Sequence, residues 1–344
     1  MKTFLKSASR YAGLLRISNK LTSHKVSIML YHGFSESKNK EGEWTLHSKF
    51  MPISEFEQHL KVYLKYGNPI SLTDLLYNEK LPPNPIAVTI DDGYANNYEL
   101  CFPILNKYHF PATLFLTTGF IDRRLFLWTD WLEFIAANAS PGDMKIELNH
   151  EVISFNLGDP PLRNIVVDRL KSILKSMPSA KIRSFLYELQ ERSRVKYDWE
   201  RIPEELQPLT WNQIREMKKS GFISFGGHTV SHAILSICNQ EEQHFEMVES
   251  KARIEKELDE ECFMLAYPNG KENDFTEETI RLAKKANYRI AVTANSGYEN
   301  SNGYDSHKLR RWGTDLFSKE DLEFLVSGGS LLTGAVRRRF LATY

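Results

Sequence analysis

The sequence predicts an α/β fold in which parallel strands alternate with crossover helices, interrupted by one inserted segment. Three observations carry that expectation. Short apolar runs rich in β-formers alternate with helical stretches about six or seven times. Residues able to do chemistry follow directly on several of those runs. One stretch, about residues 139–208, breaks the rhythm.

Residues 26–31, VSIMLY, read as a buried strand ending at His32-Gly33. Ser54 reads as the N-cap of a helix over about 55–66, stopped by Gly67. A short helix over 71–77 follows. LPPNP (81–85) is a rigid loop, because proline fixes φ and removes a donor. IAVTI (86–90) is the next strand and runs into Asp91-Asp92-Gly93, ahead of a helix over about 96–107. ATLFLTT (112–118) is a third strand, and residues 127–137 are helical. The segment 139–208 holds a short β-like stretch (KIELNHEVISFNL), a proline pair at 160–161 and a charged helical run near 166–193. It reads as an insertion in a loop of the main domain.

The rhythm then resumes. Thr210 caps a helix ending near Gly221, and FISFGG (222–227) is a strand leading into His228. A helix over about 240–260 precedes the strand FMLAY (263–267), which meets Pro268-Asn269-Gly270. Thr276 caps a helix to about Ala286, YRIAVTA (288–294) is another strand, and LRRW (309–312) closes the series. The expected organisation is an amphipathic segment over 1–25, one domain over 26–320 and a basic tail over 321–344. Gly33, Asp92, His228, Pro268 and Arg311 gather at strand ends, where parallel α/β folds place their active sites.

Bulk properties exclude several classes. The 344 residues are 42% hydrophobic and 26% charged, which suits a sizeable buried core. Lys+Arg and Asp+Glu are both 44, so no overall basic field invites nucleic acid. Cys101, Cys238 and Cys262 form no CxxC pair and no disulfide framework. No run of about 18 apolar residues exists to span a membrane. Arg10 and Arg16 interrupt what would be the apolar part of a signal peptide. Both ends are basic and amphipathic, so peripheral contact with an anionic membrane surface is a candidate. The expected location is cytoplasmic or on the inner membrane face.

Two motifs carry chemistry. In TIDDGY (89–94) two adjacent carboxylates close a strand. Crowded without a cation, one would take up a proton. A bound metal lets them divide the work, one ligating and the other moving protons. In HTVSH (228–232) two histidines four apart follow another strand, and a helical turn there would let both rings face one point. One Asp and two His form an open, catalytic ligand set rather than a closed structural one.

At this point TIDDGY resembles the TFDDG motif of the polysaccharide deacetylases, the NodB-homology or carbohydrate esterase family 4 group. HTVSH resembles their H[ST]xxH motif, and AYPNG (266–270) their third motif. LYHGF (30–34) is similar to the opening strand of a branch with rearranged motifs that includes poly-N-acetylglucosamine deacetylases. The resemblance spans roughly residues 26–138 and 208–312. It implies a distorted (β/α)7 barrel and a hydrolase that removes N-acetyl groups from amino sugars of a polysaccharide or glycan precursor, and the basic ends add a lipid-linked sugar as a candidate substrate. It implies Asp91 as general base, and Asp92, His228 and His232 as ligands of a divalent metal, Zn²⁺ first, with Co²⁺, Ni²⁺ or Mn²⁺ as alternatives.

The chain departs from the family pattern in two places. The third motif's Arg, which holds the catalytic Asp, is Ala266 here, and its aromatic position is Asn269. Arg311 is the candidate substitute. The late Leu-His motif that carries the general acid is missing, and the resemblance points instead to His32. Tyr94, Trp128 and Pro268 are candidate substrate contacts. Two rivals stay open: a glycoside hydrolase using Asp91 and Asp92, and a degenerate glycan-binding protein on the same fold.

Overall fold

The computed structural model describes residues 13, 15–36, 50–77, 80–140, 142–148, 151–156, 160–314, 317–329 and 331. The basic segments at 1–12 and 332–344, on which the membrane-contact expectation rests, lie outside the described residues.

Chain order is β1 (Lys25–Tyr31), β2 (Gly33–Ser35), β3 (Phe50–Pro52), α1 (Ile53–Tyr66), β4 (Asn68–Pro69), α2 (Asp74–Tyr77) and β5 (Pro85–Ile90). A π-helical turn, Asn97–Cys101, leads into α3 (Phe102–Tyr108) and β6 (Ala112–Leu116). Next come α4 (Thr118–Ile121), α5 (Trp128–Asn138), β7 (Asp143–Leu148), β8 (Glu151–Asn156), α6 (Pro160–Leu174) and α7 (Ser179–Ser193). The second half holds α8 (Trp211–Lys219), β9 (Ile223–Gly227), α9 (Gln240–Leu258), β10 (Met264–Ala266), α10 (Glu277–Lys285) and β11 (Ile290–Val292). Two short strands, β12 (Glu299–Asn300) and β13 (Trp312–Gly313), and helix α11 (Lys319–Val326) follow.

Strands β11-β10-β9-β6-β5-β1 are neighbours in that order, and β13 pairs with β1. Every one of these pairings is parallel. The last segment closes the curve. Leu309 bridges Val292 of β11 on one side, and Trp312 pairs with Met29 of β1 on the other. The result is a distorted parallel barrel, as the resemblance implied. Its strands read as continuous apolar runs because both faces are covered: all of β5 and β6, and all but the first residue of β1, are buried.

Helix starts follow capping chemistry where the sequence supplies it. Thr210, Asn239 and Thr276 each accept from the amide three residues on, and each closes a capping box. Such a cap contributes about 1 kcal/mol, enough to fix where a helix begins. Ser54 is not a cap. Helix α1 starts two residues earlier than expected, at Ile53, with Pro52 in the cap position and no side-chain bond. The short helix expected over 71–77 is only the turn Asp74–Tyr77. The charged run near 166–193 is two helices, because Pro178 lacks an N–H and sits at the head of the second.

The insertion has its own apolar cluster. Trp131, Leu132 and Ile135 of α5 pack with Leu170 of α6 and Phe185 and Leu186 of α7. The β-like stretch is an antiparallel hairpin, β7 with β8. Tyr94, two residues after the carboxylate pair, belongs to this cluster and ties the insertion to the barrel.

Candidate metal centre

The site lies where strands β1, β5, β9, β10 and β11 end. The amide of Asp91 still donates to the Tyr31 carbonyl at 2.9 Å, so the ladder persists one residue past β5. The chain then turns through left-handed backbone at Asp92 (φ 76°) and Gly93 (φ 92°). A β-carbon at Gly93 would lie 2.8 Å from Ile121 Cδ1, so the position needs glycine for space as well as for φ. The left-handed Asp92 costs on the order of 1–3 kcal/mol, strain of a kind that concentrates at functional sites.

The histidine motif does not turn helically. His228 extends the β9 ladder, its amide donating to the Leu116 carbonyl at 2.9 Å. A loop follows with left-handed residues at Thr229 (φ 65°) and His232 (φ 55°). Those two reversals bring the imidazoles together, with ring centroids 4.8 Å apart. Gly226 explains the pair of glycines before the motif: a β-carbon there would sit 2.6 Å from Phe115 and 2.8 Å from the Met264 carbonyl.

Asp92, His228 and His232 converge. His228 Nε2 is 3.7 Å and His232 Nε2 is 3.5 Å from Asp92 Oδ1. One donor atom from each of the three residues falls within 4.8 Å of the others. Ligands about 2.1 Å from a tetrahedral ion stand roughly 3.4 Å apart, so this triangle fits a divalent cation with little movement. The tautomer of His228 is settled by its neighbour. Its Nδ1 is 2.8 Å from the Ala266 carbonyl, which can only accept. Nδ1 therefore carries the hydrogen, and Nε2 turns its lone pair towards Asp92. The donor set of one carboxylate and two imidazoles is the chemistry a zinc-type ion takes. It is the one group of this kind among the described residues.

Asp91 stands beside that triangle, its Oδ2 3.9 Å from His228 Nε2, but is held by a partner of its own. Arg311 grips it with both terminal nitrogens, Nη1 to Oδ1 and Nη2 to Oδ2, each at 2.7 Å. The guanidinium is 1% exposed and is fixed by the Thr293 carbonyl (2.8 Å from Nε) and by Thr89 Oγ1 (3.1 Å from Nη1). Arg311 does not follow a strand. It precedes β13 and reaches its partner from inside the barrel, across the Phe115 ring. Burial alone would push the Asp91 carboxyl up. The charge of Arg311, together with its two hydrogen bonds, outweighs burial and holds it below the usual carboxylate value. His32 is half-buried, and its carbonyl accepts from Asn97 Nδ2 at 2.8 Å.

The three candidate substrate contacts sit deeper than sequence suggests. Tyr94 is fully buried between Phe50 and Phe120, and its hydroxyl donates to Asp130 Oδ2 at 2.6 Å. Burial, then the charges of Asp130 and Asp92, push its phenol well above its ordinary value. Trp128 is 6% exposed and packs in the insertion's cluster, and Pro268 is buried. Sequence reasoning missed Asp130, Thr89 and Thr293. Only Thr89, inside the TIDDGY motif, left a signal that could have found it.

Comparison with known proteins bears on the family and the fold. The polysaccharide deacetylase family model matches residues 78–291. YxkH of Bacillus subtilis (strain 168), which carries a polysaccharide deacetylase name, is 22% identical over 293 residues, covering 83% of this chain and 71% of its own. The Streptococcus pyogenes deacetylase PplD, solved in complex with acetate, has a TM-score of 0.56 at 22% identity, over 87% of this chain and 96% of that one. IcaB from Ammonifex degensii has a TM-score of 0.57 at 16% identity, over 88% of this chain and 97% of its own. At these identities the two solved structures share the fold.

Proposed function

The chain belongs to the polysaccharide deacetylase family, and from that premise we propose that it hydrolyses the N-acyl group of an amino sugar with a divalent ion held by Asp92, His228 and His232. The convergence of those three donor atoms beside a fourth, separately held carboxylate carries the reading. Zinc is the proposed ion, and cobalt, nickel or manganese would suit the same donors. Such an ion supplies Lewis acidity, bringing the pKa of water towards neutrality and polarising an acyl carbonyl.

The protein's own groups do the rest. Asp91, kept ionised by Arg311, accepts a proton from the attacking water. Its fixed bidentate pairing leaves the carboxylate little freedom to swing onto the ion. The backbone N–H of Tyr94 is the proposed second donor to the developing oxyanion. His32, at the neighbouring strand end, delivers a proton to the sugar nitrogen, without which the amine is a poor leaving group. Trp128 and Pro268, both buried, are proposed to back the wall of the substrate-sugar site. A glycosidase reading would leave both imidazoles without work.

Acetate release across a panel of N-acetylated substrates tests the proposal. The panel includes chitin oligomers, poly-N-acetylglucosamine and a lipid-linked amino sugar. Release from at least one, abolished by chelator and restored by added Zn²⁺ or Co²⁺, is the expected result. Glycan binding with a bound ion and no acetate from any substrate would favour a degenerate binding protein instead.

A further inference from the structure

One buried carboxylate near the site has no part in the chemistry above. Glu246 lies on α9 and is 8% exposed. One of its oxygens accepts from two consecutive amides, Val230 at 2.8 Å and Ser231 at 2.9 Å. Its other oxygen accepts from the Ser231 hydroxyl. These three bonds fall on the middle of the loop that joins His228 to His232. The same loop is gripped from the opposite side. The amides of Thr118 and Gly119, at the head of α4, donate to the Thr229 and Val230 carbonyls at 3.1 and 2.8 Å. A five-residue loop with two left-handed residues is thus clamped between a carboxylate and a pair of amides.

We propose that Glu246 is a positioning residue for the metal centre. It holds the loop in the strained shape that aims both imidazoles at Asp92, although it touches neither ligand. The proposal rests on the metal reading above. Left-handed backbone at Thr229 and His232 is not the conformation those residues adopt unaided. An alternative loop shape would part the rings. What the loop needs is acceptors at a fixed reach, and the negative charge is incidental. A glutamine at 246 meets that need. Its oxygen can accept both amides while its NH₂ donates to the Ser231 hydroxyl, which turns to accept. An aspartate keeps the charge but falls one methylene short.

Binding of Co²⁺ by the full chain, followed by calorimetry and by the visible absorption of the bound ion, tests this. Glu246→Asp and Glu246→Ala are expected to weaken Co²⁺ binding by about 10- to 100-fold, the range seen when outer partners of metal ligands are removed. Their cobalt spectra should also change. Glu246→Gln is expected to keep wild-type affinity and spectrum. If Glu246→Ala fails to fold, the Asp and Gln pair still decides. Wild-type affinity and spectrum in Glu246→Asp would overturn the proposal. So would a loss in Glu246→Gln as large as in Glu246→Asp, since charge rather than reach would then be at work. A wild-type chain that binds no Co²⁺ would overturn the metal reading itself, and this proposal with it.

Discussion

Asp91→Asn is expected to lower kcat by about 10²- to 10⁴-fold while the metal stays bound, the range that a positioned general base contributes. The asparagine is nearly the same size, so the ligand triangle of Asp92, His228 and His232 has no cause to move. The substitution also breaks a charge pair. Arg311 would keep one carbonyl oxygen as partner and face an NH₂ with its other arm. Losing one member of a buried pair costs about 3–5 kcal/mol, so a lower melting temperature should accompany the lost turnover. Turnover and metal content measured on the same folded sample separate the two effects. Near wild-type kcat in Asp91→Asn would remove Asp91 from the role of base.

Arg311→Met should act on the same carboxylate from the other side. The guanidinium is what holds Asp91 below its ordinary value against the pull of burial. Without it, burial prevails and the pKa rises. The acid limb of the kcat/KM profile should therefore move to higher pH, and activity near neutrality should fall. Stability follows with a definite sign. In the wild type the depressed pKa contributes stability that is present above the unfolded value of about 3.9 and is lost as pH falls through the folded value. In Arg311→Met that contribution reverses, because a raised pKa opposes folding once the unfolded carboxyl ionises. The stability gap between the two proteins should thus be wide at pH 7 and narrow towards pH 3. Urea unfolding at both pH values, with a pH–rate profile, checks this. A gap that does not change with pH would mean Arg311 acts by packing alone.

The strand-and-turn logic of the barrel was legible because both cues are local. Apolar runs mark strands buried on both faces, and Thr210 and Thr276 mark helix starts through their own side chains. Asp92 and His228 were legible for a related reason, since each stands at the end of such a run, and His232 through its four-residue spacing from His228. The shape of the histidine loop was not. Four-residue spacing suggests a helical turn, but the rings converge through left-handed residues held by Glu246 of α9, about 15 residues on, and by α4, far back in the sequence. The depth of Tyr94 was hidden for the same reason. Its burial depends on Phe50, Phe120 and Asp130, which no motif connects to it. Arg311 was noticed at the end of the strand series, and its role was inferred from a family position that stood empty at Ala266. Its bidentate grip on Asp91 is a tertiary fact, made across 220 residues of chain.

Equilibrium dialysis against Zn²⁺, with the bound ion counted by elemental analysis, bears most directly on the central claim. The purified chain should hold one ion per molecule, while Asp92→Ala, His228→Ala and His232→Ala, folded by circular dichroism, should hold none. A wild-type chain that retains no ion would contradict the claim, as would an Asp92→Ala variant that binds as tightly as the wild type.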